Sequence, residues 1–281
     1  MGFQKKTLEL FDKVNGILAE YDGPLTLRQI YYRLVAAQYI ENVQKAYTLL
    51  SKHLTNARRA GIVDPNRIID RTRRTLKVPT WTDLEEFLEA VSRSYRREKW
   101  ATGQQRNVEV WCEKDAVAGV LEPITEEFEV VLYPCRGYNS YSALLEAAER
   151  IAGKQQPTTI LYLGDFDPSG QDMPRDIRDR LHNDFGVSVD LQVIALTPEQ
   201  IEQFDLPPAP AKKSDSRAAN FIARHGDMAV ELDALPPDEL QRLVREGIEE
   251  FVDLSTFQQE EETEAEEQRR LEQLIRDTRA T

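Results

Sequence analysis

The chain has 281 residues, 41% hydrophobic and 30% charged, enough apolar sequence for a real core and for two domains at roughly 100–200 residues each. No run approaches the ~20 apolar residues of a membrane helix. Two cysteines, Cys112 and Cys135, are too few for a disulfide framework and lack zinc-ligand spacing, and three scattered histidines argue against a His-based zinc enzyme.

The opening MGFQKKTLELFDKV is amphipathic, with no continuous apolar run and no small-residue cleavage site, so no secretory signal is expected. A reduced, cytoplasmic setting fits. The net charge of −13 hides an asymmetry: residues 1–107 carry 19 Lys+Arg against 12 Asp+Glu, and residues 108–281 carry 17 against 37. A basic third joined to an acidic remainder points to a DNA-facing N-terminal lobe.

In chain order, Leu8, Leu10, Phe11, Val14, Ile17 and Leu18 have helical spacing, broken by Asp22-Gly23-Pro24. Thr26 is placed to cap a second helix, LRQIYYRLVAAQ, and a third covers about 44–60, ending at Gly61. A turn at Asp64-Pro65-Asn66 leads to the short Ile68-Ile69 element. Three helices and a short β element match a winged-helix (helix-turn-helix) domain over 1–80. Lys52, Arg58, Arg59, Arg67, Arg71, Arg73, Arg74 and Lys77 face only Asp64 and Asp70 across 52–77. Arg58, Arg59, Arg71, Arg73 and Arg74 are therefore candidate contacts to a DNA backbone, the alternative being a solvated charged surface. Thr82 is expected to cap a connecting helix, reaching about Lys99, within a connector of 81–107.

From residue 108 the pattern changes. VEVWC, EVVLY, TTILYLGD and VDLQVIAL are short β-rich runs separated by helical patterns near 114–122, 140–152 and 171–183. Strands alternating with helices predict an α/β domain with a parallel, Rossmann-like sheet over 108–204. Residues 205–281 form a largely helical C-terminal extension with a short strand near Val230. Its run EEETEAEE is either a solvated helical face or a partner-binding helix.

Ligands of parallel α/β sheets collect at the carboxyl ends of strands. The first strand ends in Cys112-Glu113-Lys114-Asp115 and the third in Gly164-Asp165-Phe166-Asp167-Pro168-Ser169-Gly170. Glu113, Asp165 and Asp167 are hard oxygen donors, suited to Mg²⁺ with Mn²⁺ as substitute. On residues alone Asp165 and Asp167 also read as a strand end and a helix cap. Arg136, Gly137 and Tyr138 are expected to border this cleft, with Arg136 either on a phosphate or in a surface salt bridge.

These segments resemble a known family. VEVWCEKDAVAGVLEPI, LYPCRGYNSYSALL and TILYLGDFDPSGQDMPRDI look like a Toprim domain, specifically that of the A subunit of topoisomerase VI and its meiotic double-strand-break relative. AVELDALPPDELQRLVREGI looks like the end of short, stand-alone bacterial or mobile-element proteins of this type. LRQIYYRLV resembles the family's tyrosine helix, which maps the nucleophile onto Tyr32 and its arginine onto Arg28. Independently of the family, Arg28 lies four residues before Tyr32 on one helix face, positioned to favour phenolate or hold a phosphate. Tyr32 also reads as a core aromatic.

The resemblance implies Mg²⁺-dependent cleavage of double-stranded DNA by transesterification, a 5′-phosphotyrosyl link, and a homodimer in which the tyrosine of one protomer works with the metal of the other. A Toprim-type hydrolytic nuclease and a non-catalytic DNA-binding module are the alternatives. No GxxxxGK[ST] loop or GHKL-type region is present, so ATP-driven strand passage would need a separate ATPase subunit.

Overall fold

The computed structural model describes residues 3–69, 78–101, 103–209 and 217–279. Arg71, Arg73 and Arg74 lie outside them. Helix α1, Lys5–Ala19, buries Phe11, Val14 and Leu18, the spacing the sequence predicts. Strand β1, Leu25–Thr26, leads into α2, Leu27–Ala36. Thr26 closes a capping box there: its hydroxyl accepts from Gln29 N, and the Gln29 side chain accepts from Thr26 N at 2.7 Å. Helix α3, Gln44–Arg59, buries Leu50, Leu54 and Ala57 and ends at Gly61, whose φ of +70° is the left-handed conformation a C-terminal glycine supplies.

A 3-10 turn, Pro65–Arg67, precedes β2, Ile68–Ile69, which pairs with β1 in parallel, Leu25 opposite Ile68. The described part of this lobe thus has three helices and a parallel β pair.

Helix α4, Leu84–Ser94, is capped by Asp83, one residue beyond the expected Thr82, and stops well before Lys99. The cause of the early stop is the C-terminal helix. Residues 95–99 turn their donors to it: Arg97 N donates to Glu264 Oε2 at 2.8 Å, and Lys99 Nζ lies 3.2 Å from the same oxygen.

The second lobe alternates β3 Asn107–Cys112, α5 Asp115–Glu127, β4 Val131–Pro134, α6 Tyr141–Ala152, β5 Thr158–Leu163, α7 Met173–Phe185, β6 Val189–Ala195 and α8 Pro198–Gln203. The sheet order is β4-β3-β5-β6, all parallel. Strands β3 and β5 are central and buried at every residue, as parallel strands covered on both faces must be. Their side chains alternate. Val108, Val110, Leu161 and Leu163 join one core; Trp111, Ile160 and Tyr162 join the other, with α6 and α7.

Helices α9 Ala218–His225, α10 Pro237–Glu249 and α11 Leu254–Arg279 follow. The sheet is not closed within 108–204, because α10 packs on α5, β5 and β6. Gly247 permits that approach: a Cβ there would meet Leu161 Cδ1 at 3.0 Å. The strand expected near Val230 is reduced to two isolated antiparallel bridges, Val230 to Phe166 and Ala229 to Ala209. One face of the glutamate run is not merely solvated. Glu260, Glu264 and Glu267, on α11, receive Arg97 and Lys99. Among the described residues no helix is long and apolar enough to cross a membrane.

Candidate functional site

The chain runs from β3 outward to β4, then crosses back to β5 on the other side of β3. This reversal opens a crevice at the carboxyl ends of β3 and β5. Glu113 and Asp165 stand at its two sides. The ladder continues one residue past β3, with Glu113 N donating to Leu163 O at 2.9 Å, while Glu113 Oε2 accepts from Asp165 N at 2.8 Å. The side chain of one strand end thereby fixes the backbone of the other.

Asp165 is 7% exposed and its Oδ1 accepts from Leu232 N at 2.8 Å. Leu232 opens a 3-10 turn, Leu232–Ala234, and the turn and the residue before it carry two acids the sequence reading did not select, Asp233 and Glu231. Lys114 Nζ lies among them, 2.8 Å from Asp165, 2.7 Å from Glu231 and 3.2 Å from Asp233. Helix α2 packs on the same turn. Arg28 bonds Glu231 and lies 3.3 Å from Asp233, and Arg33 donates to the Ala234 carbonyl. A visible signal existed for these acids: Glu231-Leu-Asp233 repeats the spacing of Asp165-Phe-Asp167 after a short apolar stretch.

Tyr32 and Arg28 therefore do reach the acid cluster, and they reach that of their own chain. Tyr32 is 5% exposed, with the Arg28 guanidinium 6.0 Å from its ring centre. Burial pushes its phenol up to about 12; Arg28 works against that rise, while the Asp233 and Asp165 carboxylates add to it. Tyr31 faces away, its hydroxyl 3.1 Å from Asn42 Oδ1. Glu113 is pushed up to about 7, by burial first and then by the Asp165 carboxylate. Asp165 is raised as well, by burial against the pull of Lys114. A carboxyl group poised near neutral pH can both take and give a proton there.

Asp167 behaves differently. Its Oδ1 accepts from Ser169 N, Ser169 Oγ and Gly170 N at 3.0, 2.9 and 2.7 Å, so it organises the turn. Gly170 is required for that turn, since a Cβ would lie 2.2 Å from the Asp165 carbonyl oxygen. Among the described residues no three Asp, Glu, His or Cys groups converge as a metal-binding set. The donor chemistry nonetheless fits a hard cation: every acid here offers oxygen, and buried Asp233 has two oxygens that accept no hydrogen bond.

Arg136 and Tyr138 follow β4, where Cys135 N donates to the Cys112 carbonyl at the end of β3 at 2.8 Å. Arg136, in a left-handed conformation at φ +56°, makes a salt bridge to Asp115 at 2.8 Å. Tyr138 donates to Asp172 at 2.8 Å. Arg58 donates to the Pro65 carbonyl at 3.0 Å, and Arg59 is exposed at the end of α3. The exposed face of α3 carries Lys45, Lys52 and Arg59 at a spacing of seven, with Thr48 and Thr55 between them. Cys112 is buried in β3, as expected, and burial raises its thiol. No family model and no characterised protein matches the chain.

Proposed function

We propose that the chain is a Mg²⁺-dependent DNA-cleaving protein of the topoisomerase VI A-subunit type, with Tyr32 as the nucleophile. The observation that carries this reading is the packing of α2, the helix of Tyr32 and Arg28, on the turn of Asp233, with Arg28 3.3 Å from that carboxylate. In the step, the Tyr32 oxygen forms a bond to a DNA phosphorus as the bond from that phosphorus to the 3′ oxygen breaks. The protein is left on the 5′ end. The phenol must lose a proton and the departing 3′ oxygen must gain one, and Glu113, near neutral, is suited to that exchange. Arg28 offers the scissile phosphate a planar donor once it leaves Glu231. A divalent ion held by the carboxylates of the crevice would stabilise the charge of phosphoryl transfer. The exposed face of α3 would lie along double-stranded DNA, with Arg59 on a phosphate. A homodimer would make two cuts, one per protomer, and any strand passage would draw on a separate ATPase subunit.

A hydrolytic nuclease is the second reading, and one observation favours it. A buried phenol raised to about 12 is a poor nucleophile at neutral pH, whereas water in the crevice needs no such activation of Tyr32. Cleavage of supercoiled plasmid with Mg²⁺ or Mn²⁺, stopped with detergent and run before and after protease, separates the two. DNA that stays protein-bound until proteolysis, and is lost in both Tyr32→Phe and Asp165→Ala, supports the transesterase. Free ends, lost only in Asp165→Ala, support hydrolysis. Intact DNA together with tight binding leaves a DNA-binding module.

A further inference from the structure

A second recess borders the turn that Asp167 organises. It is open to solvent, offers about 440 Å³ of space, and is lined by Gln171, Arg217, Asn220, Phe221, Arg224 and His225. None of the crevice acids lines it. Arg217 precedes α9, and Asn220-Phe221 and Arg224-His225 recur three to four positions further on, so one face of that helix builds the wall.

The chemistry of the wall is unlike that of the lobe around it. Residues 108–281 carry 17 Lys+Arg against 37 Asp+Glu, yet here two guanidiniums and an imidazole meet a single carboxylate, Asp172. That acid is already answered: Arg175 and Tyr138 each reach it at 2.8 Å and Arg217 at 3.2 Å. Arg217 is held in place by this pair and by the Tyr138 ring, whose centre lies 4.8 Å from its guanidinium. Arg224 differs. Among the described residues no hydrogen bond or ion pair engages its guanidinium, the side-chain amides of Gln171 and Asn220, or the ring nitrogens of His225.

His225 adds a flat surface. It is exposed, and its ring rests on two buried phenyl rings, 5.1 Å from Phe166 and 5.2 Å from Phe221 between centres. An anchored imidazole facing solvent is a platform on which a base can stack. A guanidinium fits phosphate oxygens through parallel donors, and side-chain amides can both donate to and accept from a base edge.

We propose that this recess is a nucleotide-binding site, with the phosphate on Arg224 and the base on His225. The ligand chemistry is a nucleotide 5′-phosphate, which a free mononucleotide and the 5′ end of a strand carry alike. The site makes no use of Tyr32 or of the crevice acids, so it stands apart from the cleavage reading.

The test is calorimetric titration of the full chain at low salt, without divalent ions, with adenosine 5′-monophosphate and with a 5′-phosphorylated single-stranded oligonucleotide. Adenosine and the unphosphorylated oligonucleotide run beside them. Arg224→Ala should weaken binding of the phosphorylated ligand about tenfold. His225→Ala should weaken it about tenfold as well, and His225→Phe should restore it, because a stacking surface is sequence-tolerant and needs no charge. Arg178→Ala removes an exposed cation of α7 outside the recess and should leave affinity within about twofold. Binding of the mononucleotide with this pattern assigns a free nucleotide as the ligand; the same pattern with the oligonucleotide alone assigns a strand end. The proposal is overturned if neither phosphorylated ligand binds better than its unphosphorylated counterpart, if Arg224→Ala costs no more than Arg178→Ala, or if His225→Ala binds as wild type does.

Discussion

Two glutamates four residues apart, on β3 and just past its end, show how one strand serves two purposes. Glu109 is 0% exposed and fully answered: Arg150 grips it with two donors at 3.0 and 2.8 Å, and Trp111 Nε1 donates at 2.9 Å. Glu113, at the crevice, faces another carboxylate instead and is pushed up to about 7. The first arrangement removes every reason for the acid to react. The second keeps a proton equilibrium close to neutral. Burial alone does not mark a functional acid; burial next to like charge does.

The largest effect should come from spoiling the satisfied member. Arg150→Ala strands a buried charge and should cost about 3–5 kcal/mol in urea unfolding. Pairing it with Glu109→Gln should recover a large part of that loss. A cost for Arg150→Ala below about 1 kcal/mol would remove the distinction drawn between the two glutamates.

The same contrast divides the cations. Arg67 in the basic N-terminal third is turned inward, donating to the carbonyls of Leu18, Tyr21 and Asp22. Arg67→Met should cost about 1–3 kcal/mol, because carbonyls at the end of α1 lose their donor. Arg28, Arg96, Arg97, Lys99 and Arg106 pair with acids beyond residue 107. Part of the charge asymmetry is therefore complementarity within one fold.

This is where the sequence could and could not be read. Helix α2 with its Thr26 cap, the strand runs and the helices between them were legible because periodicity and capping are local. Strand-end position pointed to Glu113 and Asp165 for the same reason. Glu231 and Asp233 were not selected, since their meeting with Lys114 depends on a contact across more than 110 residues. Asp167 looked equivalent to Asp165 because spacing carries no information about which oxygens a turn will use. The end of α4 at Ser94 was misplaced because acids on α11, far along the chain, draw residues 95–99 out of the helix.

Glu113 sharpens the comparison through pH. Its folded value of about 7 lies above the ordinary ~4.3 of an unfolded glutamate. The folded chain then binds the extra proton, so this group's contribution is fully present below the unfolded value and is lost as pH rises through about 7. Glu113→Gln should flatten stability between those values and should be more stable than wild type at pH 8. Unfolding midpoints that fall equally steeply with pH in both proteins would assign the slope elsewhere.

The smallest effect concerns a cation the fold does not enlist in this way. Lys52 is exposed at the middle of the α3 stripe, between Lys45 and Arg59. Lys52→Ala should change unfolding stability by no more than about 0.5 kcal/mol, in contrast to Arg67→Met. If α3 lies along a DNA backbone, removing one phosphate contact should lower the slope of log affinity against log salt by about 0.9. Loss of that contact should weaken binding alike on unrelated sequences, since a phosphate contact carries no base information. An unchanged salt slope in Lys52→Ala and in Arg59→Ala would take α3 out of the DNA interface.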